Sequence, residues 1–280
     1  MSDDADGTVA DGLRAGAELA KAVPVYADLL QPSVREVGKG LETVARAVNV
    51  ALAPLSAMVW GYERICGWLE AEVTRRLGAV PPDRIATPNP HVVGPAIEAL
   101  RYAAYSEDLR SLFAQLIATS MDAEAAERAH PTFVEILRQI SADEAKIIPL
   151  FQSNTYHPIL SVHTRAEDGE TRVVMRHWST VCVEAGCDLP GYAAAYVGNL
   201  ARLGLIEFTY EGEVERRWYD EMERHEAVAS LLTQLRGGAA EVVVERGVMM
   251  RTMLGQMFID ACIGETSGTQ AKVSHVTVDP

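Results

Sequence analysis

The sequence predicts a mostly helical α+β fold, in which a helical region is followed by a smaller part with a small antiparallel sheet. Two observations lead to this fold class. Up to about residue 150, apolar residues recur at three- and four-residue steps, the period of one face of a helix. After that point the pattern changes to short alternating segments, which are typical of strands.

The composition favours a cytoplasmic globular protein. The chain has 280 residues, of which 48% are hydrophobic, enough to build a substantial core. Its 25 basic and 39 acidic residues give a net charge of -14, which argues against nucleic acid as a partner. The acidic start, with Asp3, Asp4 and Asp6, is unlike a secretory signal, and the four cysteines lack the spacing of a disulfide scaffold. We therefore expect reduced cysteines in the cytoplasm.

Four segments are predicted along the chain. Residues 1–40 form an acidic, partly disordered segment, residues 41–139 a helical domain, residues 140–263 a winged-helix-like domain, and residues 264–280 a flexible tail. The change from helical to alternating periodicity places the second domain, and small polar residues mark the tail.

The first helical segment, from Leu41 to Leu77, is amphipathic and predicts one or two helices that are kinked near Pro54. Its uncharged run from Ala47 to Tyr62 is too short to cross a bilayer, which requires roughly 20 apolar residues. A membrane-surface helix usually has a Lys/Arg-rich polar face, whereas acidic and basic residues are mixed here. Packing in the core is favoured, and contact with a membrane surface stays open.

Prolines between Ala79 and Pro90 then indicate a connector. Ser106 is placed to cap a helix, and Ser141 with Glu144 has the spacing of a capping box. The helices predicted after the connector run from Val92 to Tyr105, from Ser106 to Asp122, from Pro131 to Ile140 and from Ser141 to about Gln152.

The second half contains the predicted strands. Pro158 to Thr164 and Thr171 to Trp178 alternate around a Gly turn and predict a hairpin. A helix from Tyr192 to Leu203 that passes directly into a strand, Leu205 to Tyr210, has the order found in winged-helix domains. The remaining predicted elements are a helical insertion from Trp218 to Arg236, a strand from Glu241 to Met250, and a closing helix from Thr252 to Ile263 with Met253, Leu254, Met257 and Phe258 facing inward.

Three stretches of the sequence resemble the abortive infection alpha family of bacteria. They are Asp108 to Asp122, the run from His130 through Pro131 and Phe133 to Ile147, and Leu254 to Cys262. The resemblance covers roughly residues 80–263 and implies a role in phage defence, in which an infected cell stops growing or dies before progeny are released. It supplies no catalytic residues. The run through His130, Pro131 and Phe133 is the most specific part. No role is assigned to the residues of the family-like motif, which are Ser120, Asp122, His130, Pro131 and Phe133.

Four common catalytic signatures are missing from the sequence, namely the P-loop, a strand-linked GxGxxG, HExxH and GxSxG. An enzyme is therefore disfavoured, and we assign no catalytic residue, cofactor or metal. Two weaker alternatives remain. One is a zinc site, for which the spacing is poor, and its candidate ligands are His157, His163, His177, Cys182 and Cys187. The other is acid/base chemistry at His130 with Asp122, Glu124 or Glu127, although a His-Pro pair at a helix entrance more often makes a structural hydrogen bond.

The family resemblance therefore implies a phage-defence protein, and we expect it to act by recognising a protein partner through its acidic second half. Pro190 to Gly204 carries one charge, Arg202, which favours a protein-binding over a DNA-binding winged helix. The alternatives are a membrane-active effector that uses residues 41–77 and a winged-helix transcriptional regulator.

Overall fold

Helices come first in the computed structural model, which describes residues 40–56, 66–103, 105–211, 215–238 and 240–264. Within these residues the helices before the first strand are α1 (Gly40–Ser56), α2 (Cys66–Arg76), α3 (Pro90–Ala103), α4 (Glu107–Met121), α5 (Pro131–Leu137), α6 (Ala142–Ile147) and α7 (Leu150–Ser153).

The amphipathic stripes of α1 and α2 are buried in the main core, which confirms the expected core packing for the described part of residues 41–77. Val44, Val48, Leu52, Leu69 and Val73 are at most 2% exposed. Pro54 lies within α1 near its end, and residues 57–65, where the chain passes to α2, lie outside the described residues. No helix in the described part of the chain is long and apolar enough to cross a membrane.

Two predicted helix starts are confirmed. Ser106 Oγ accepts a hydrogen bond from the Leu109 amide at 3.3 Å. Ser141 Oγ accepts from the Glu144 amide at 3.2 Å while the Glu144 carboxylate accepts from the Ser141 amide at 2.5 Å, which completes the capping box. The helix after it was expected to reach about Gln152, but it stops at Ile147 and α7 follows Pro149. Proline lacks the amide that would continue the hydrogen-bond ladder.

The connector after α2 is fixed against the end of α4. Ile85 forms an isolated antiparallel bridge with Asp122. On either side of it, the Ala86 amide donates to the Met121 carbonyl at 2.8 Å and the Ala123 amide to the Arg84 carbonyl at 3.0 Å. The proline-rich segment therefore has a defined path across the helical half.

The remaining chain contains a four-stranded antiparallel sheet in the order β2-β1-β4-β3. The predicted hairpin is present as β1 and β2. The elements are β1 (Tyr156–Arg165), β2 (Thr171–Trp178), α8 (Val181–Glu184), α9 (Ala193–Arg202), β3 (Ile206–Thr209), α10 (Arg216–Arg224), α11 (Glu226–Arg236), β4 (Glu241–Arg251) and α12 (Met253–Cys262).

Edge strand β2 is irregular. Its pairing with β1 shifts register on both sides of the Val162–Met175 pair, and His177 has a positive φ of 51°. Bulges of this kind twist an edge strand away from further pairing. The edge is therefore poorly suited to adding another strand.

The sheet packs on both of its faces. Ile159 and Met249 point into the main core, which also contains side chains of α1 to α6, α9 and α12. Leu160 and Val162 point the other way, into a second core that Tyr219 of α10 and Leu232 of α11 complete. The predicted helical insertion is thus two helices, which cover the outer face of the sheet. They separate at His225, whose Nδ1 accepts from the Ala227 amide at 3.3 Å and caps α11.

The orientation predicted for α12 is partly wrong. Phe258 is fully buried, but Met253 is 78% and Met257 46% exposed. Both lie on the helix face opposite Gly255 and Phe258, because residues four apart share a face. The order of α9, β3 and β4 is the one expected, while the winged-helix assignment stays a prediction, as does the boundary between residues 139 and 140. The predicted acidic segment before Gly40 and the tail after Gly264 lie outside the described residues.

Candidate interaction site

A buried carboxylate, that of Asp143, joins the helical half to the segment before α9. The capping box starts α6 at Ala142 and turns the Asp143 side chain inward, where the residue is 5% exposed. Its oxygens accept from the amides of Asp188 at 2.8 Å and Leu189 at 3.0 Å, and from the Tyr196 hydroxyl at 3.1 Å. We call these contacts the Asp143 latch.

Hydrogen bonding favours the ionised carboxylate of Asp143 and the protonated hydroxyl of Tyr196. Burial opposes ionisation of Asp143, but the Asp188 and Leu189 amides and the other donors together outweigh it and lower its pKa. Burial and then the bond to Asp143 raise the pKa of Tyr196 to about 12, so the phenol stays a donor. Lys146 Nζ lies 3.0 Å from Asp188 Oδ2 and 3.4 Å from Asp143 Oδ1, and the bond to Asp188 raises the pKa of the lysine.

Two free cysteines lie beside the latch. The Cys187 amide donates to the Cys182 carbonyl at 2.9 Å, and Cys187 Sγ donates to the Asp143 carbonyl at 3.5 Å. Gly186 between them has a φ of +67°, which glycine adopts without strain. Burial raises the pKa of the Cys182 thiol to about 12. Burial also raises the pKa of the Cys187 thiol, so both cysteines favour the thiol over the nucleophilic thiolate.

Glu144 adds a second link from α6 to α9. Its Oε1 accepts from Asn199 Nδ2 at 2.7 Å, and the same amide nitrogen donates to the Gln139 carbonyl at 3.0 Å. Residues 187–199 are thus fixed to α6 near both ends.

The fixed segment and the short helix α8 before it expose large apolar side chains. Val183 is 64%, Leu189 56% and Tyr192 60% exposed. The Tyr192 amide donates to the Leu189 carbonyl at 3.1 Å, and the Tyr192 and Tyr196 rings lie 6.3 Å apart. We call Val183, Leu189 and Tyr192 the apolar patch. The acidic residues Glu184 and Asp188 lie within the same stretch.

The motif residues singled out in the sequence occupy structural positions. Ser120 is buried, and its hydroxyl donates to the Ile117 carbonyl at 2.7 Å. Pro131 opens α5, and His130 Nδ1 caps that helix by accepting from the Thr132 amide at 3.2 Å. Phe133 meets Phe258 edge-to-face with ring centroids 5.5 Å apart.

Two of the three carboxylates proposed as partners of His130, those of Asp122 and Glu124, bind an arginine. Arg84 NH2 lies 2.7 Å from Asp122 Oδ2, and Arg84 NH1 lies 2.8 Å from Glu124 Oε2. The ion pair between Arg84 and Asp122 therefore holds the connector at the end of α4.

The candidate zinc ligands lie in different surroundings. His157 is buried against Phe151, with ring centroids 4.7 Å apart, and burial lowers its pKa. His163 Nε2 lies 2.9 Å from Glu245 Oε2 on the sheet, and His177 stacks on Phe208 at 4.0 Å. In the described residues, no group of three or more His, Cys, Asp or Glu side chains could hold a metal ion.

Sequence reasoning missed the latch and the patch. The capping box identified Glu144, but the partners of Asp143 lie some 45 residues away, beyond the reach of a local pattern. One signal was present, since Leu189 and Tyr192 flank Pro190 and Gly191 in a turn where polar residues are usual.

Fold and contacts together define an α+β protein whose family-like helices α4, α5, α6 and α12 build the core. The chain belongs to the abortive infection alpha family, which it matches over residues 61–262. This membership confirms the resemblance seen in the sequence and suggests a role in abortive infection, a form of phage defence. No curated protein matches the chain.

One solved structure with some similarity is that of an uncharacterized protein from the hydrocarbon-degrading marine bacterium Alcanivorax borkumensis SK2. The similarity covers 49% of this chain and 94% of that one, with 16% sequence identity and a TM-score of 0.36.

Proposed function

We propose that this protein defends bacteria against phage by abortive infection, and that it does so in the cytoplasm by binding a partner protein through the apolar patch. Family membership supports the role in defence. The observation that supports this mode of action is the exposure of Leu189 and Tyr192 on a segment that a buried carboxylate holds in place, with Val183 exposed on α8 just before it.

Rigidity is what distinguishes this patch from an ordinary exposed loop. A partner that binds a preorganised surface loses less conformational entropy, so more of the contact energy appears as affinity. Tyrosine is also enriched among the residues that dominate binding energy at interfaces. The latch therefore presents suitable side chains at low entropic cost.

Charge indicates what kind of partner fits. Glu184 and Asp188 lie beside the patch, Asp188 with its side chain 80% exposed, and the chain as a whole carries a net charge of -14. A complementary surface would place apolar side chains at its centre and Lys or Arg at its rim.

A winged-helix-like second half is part of this proposal. The passage from α9 into β3 and the return of β4 beside it support such an arrangement, with α10 and α11 inserted between the two strands. The only basic residue of α9, Arg202, donates to Asn199 Oδ1 at 2.7 Å and to Gln139 Oε1 at 3.2 Å. A helix so poor in cations favours a protein over DNA.

A membrane-active effector is not favoured by any contact of the described residues. The apolar side chains of α1 and α2 that would have to enter lipid are packed in the main core.

The proposal is tested by cross-linking and affinity purification from phage-infected cells that express the tagged full-length protein. The double variant Leu189→Ser, Tyr192→Ser removes two of the three side chains of the patch, and we expect recovery of the partner to fall roughly tenfold or more. A matched control, Val173→Ser with Val174→Ser, removes two exposed valines of β2 away from the patch and should retain the partner. Equal recovery with both double variants, each with a wild-type thermal midpoint, would exclude the patch.

A further inference from the structure

A half-open pocket lies on the helical half, at the corner where the ends of α3 and α5 meet the start of α4. Its cavity volume is about 340 Å³. The apolar lining comes from Ala99, Ala103, Leu109, Phe113, Leu137 and Ile140. Ala99 and Ala103 leave the space open, because larger side chains at these positions of α3 would fill it. The volume lies at the lower end of the range of small-molecule sites, which begins near roughly 300 Å³.

The lining of the pocket includes one acidic and one basic side chain, those of Glu98 and Arg138. Among the described residues no ion pair involves Glu98, which is exposed. Arg138 pairs with Glu135 at 3.6 Å, a long contact between side chains that are 54% and 60% exposed. Exposed pairs of this kind are weak, so the guanidinium can bind another carboxylate at little cost.

An aromatic side chain completes the entrance. Tyr102 lines the pocket although it is 76% exposed, and the Arg101 guanidinium carbon lies 5.7 Å from the centre of its ring. An exposed tyrosine over an apolar cavity is suited to stack on a flat ligand.

We propose that this pocket binds a small aromatic zwitterion of the size of an aromatic α-amino acid. The apolar floor takes the ring, Glu98 takes the ammonium group, and Arg138 takes the carboxylate. This site lies apart from the apolar patch of α8 and the segment before α9, and it does not depend on the proposed partner binding.

The experiment is ligand-observed NMR on the full-length protein with L-phenylalanine and L-tryptophan, up to about 10 mM so that millimolar affinity is seen. N-acetyl-L-tryptophanamide has the same ring without either charge. We expect the free amino acids to bind and the capped compound to bind more weakly, by roughly 2- to 5-fold for each lost charge contact. Equal or tighter binding of the capped compound would overturn the proposal and indicate a pocket for a partner's side chain. No binding of either amino acid would also overturn it.

Variants locate the site. Ala103→Phe should fill the pocket and abolish binding, whereas Ala195→Phe, on an exposed position of α9, should not. If Ala103→Phe does not fold, Glu98→Gln and Arg138→Gln change only charged lining residues, and each should weaken amino-acid binding by roughly 2- to 5-fold. Binding that none of these pocket variants alters would place the ligand elsewhere and refute the assignment.

Discussion

Replacing Asp143 by asparagine should release the segment that bears Leu189 and Tyr192 of the apolar patch. The carboxylate accepts from the amides of Asp188 and Leu189 and from Tyr196, and the last two share Oδ2. Asparagine retains one acceptor oxygen but places an NH₂ group against the other donors. With its oxygen toward Leu189 and Tyr196, the variant loses the bond from Asp188. It also weakens the other two bonds, because the acceptor is no longer charged, and the total cost is about 2 to 4 kcal/mol in the free energy of unfolding.

The assay is urea unfolding combined with hydrogen exchange of the full-length protein. Asp143→Asn should lower the urea midpoint with an unchanged slope, and exchange of the Asp188 and Leu189 amides should accelerate most. Asp188→Asn is the matched control, because it removes an exposed carboxylate from the same segment and leaves the latch in place. It should unfold near the wild-type midpoint.

The effect of Asp143→Asn has a defined pH dependence. Because the folded pKa of Asp143 lies below the ordinary value, its stabilisation is complete above the unfolded pKa of about 3.9 and is lost as pH falls through the folded pKa. The difference from wild type should therefore be the same at about pH 5.5 and pH 7.5. A variant with the wild-type urea midpoint and unchanged exchange of the two amides would refute the reasoning that Asp143 holds the segment.

Three further changes test the packing. Gly255→Ala should destabilise the protein by about 2 kcal/mol or more, because a Cβ there would lie 2.0 Å from the Leu205 carbonyl oxygen. In the control Gly198→Ala the Cβ meets nothing within 4 Å, and this helical change should stabilise the protein by about 0.5 to 1 kcal/mol. Chemical unfolding of both variants measures these changes. Burial lowers the pKa of His157, so the free energy of unfolding should decline as pH falls below the unfolded pKa of about 6.5, by up to about 1.4 kcal/mol per pH unit. His157→Phe should remove this part of the pH dependence, which thermal midpoints measured over a pH series would show. Tyr219→Phe loses a buried 3.0 Å bond to a main-chain carbonyl and should cost about 1 to 2 kcal/mol with the fold intact by circular dichroism.

Structural features that depend on residues only a few positions apart could be predicted from the sequence. The N-cap at Ser106 and the capping box at Ser141 and Glu144 depend on neighbours three positions away, and both are present. The hairpin was predictable for the same reason, because its strands alternate around a short turn.

Features that depend on distant contacts could not be predicted. The closing helix is apolar on more than one side, so its sequence did not show that Met253 and Met257 would face outward. Likewise, nothing near Asp143 in the sequence indicates that its carboxylate binds amides at Asp188 and Leu189.

The candidate site was predicted least well. Ser120, Asp122 and His130 were identified by resemblance to a family, and in the structure they form local hydrogen bonds and an ion pair that organise the helical half. The apolar patch depends on which side chains remain exposed after folding. The hydrophobic periodicity of a sequence does not predict this for an irregular segment.

The most direct test of the account is a plaque assay over a broad phage panel. It compares cells that lack the gene with cells that express the wild type, the Leu189→Ser, Tyr192→Ser variant or the Val173→Ser, Val174→Ser control. The three proteins are expressed at equal levels. The account predicts fewer plaques with the wild type and the β2 control, and plaque numbers close to those without the gene for the patch variant. Equal plaque numbers with and without the wild-type gene would contradict the role in defence, and full protection by the patch variant would contradict recognition through the patch.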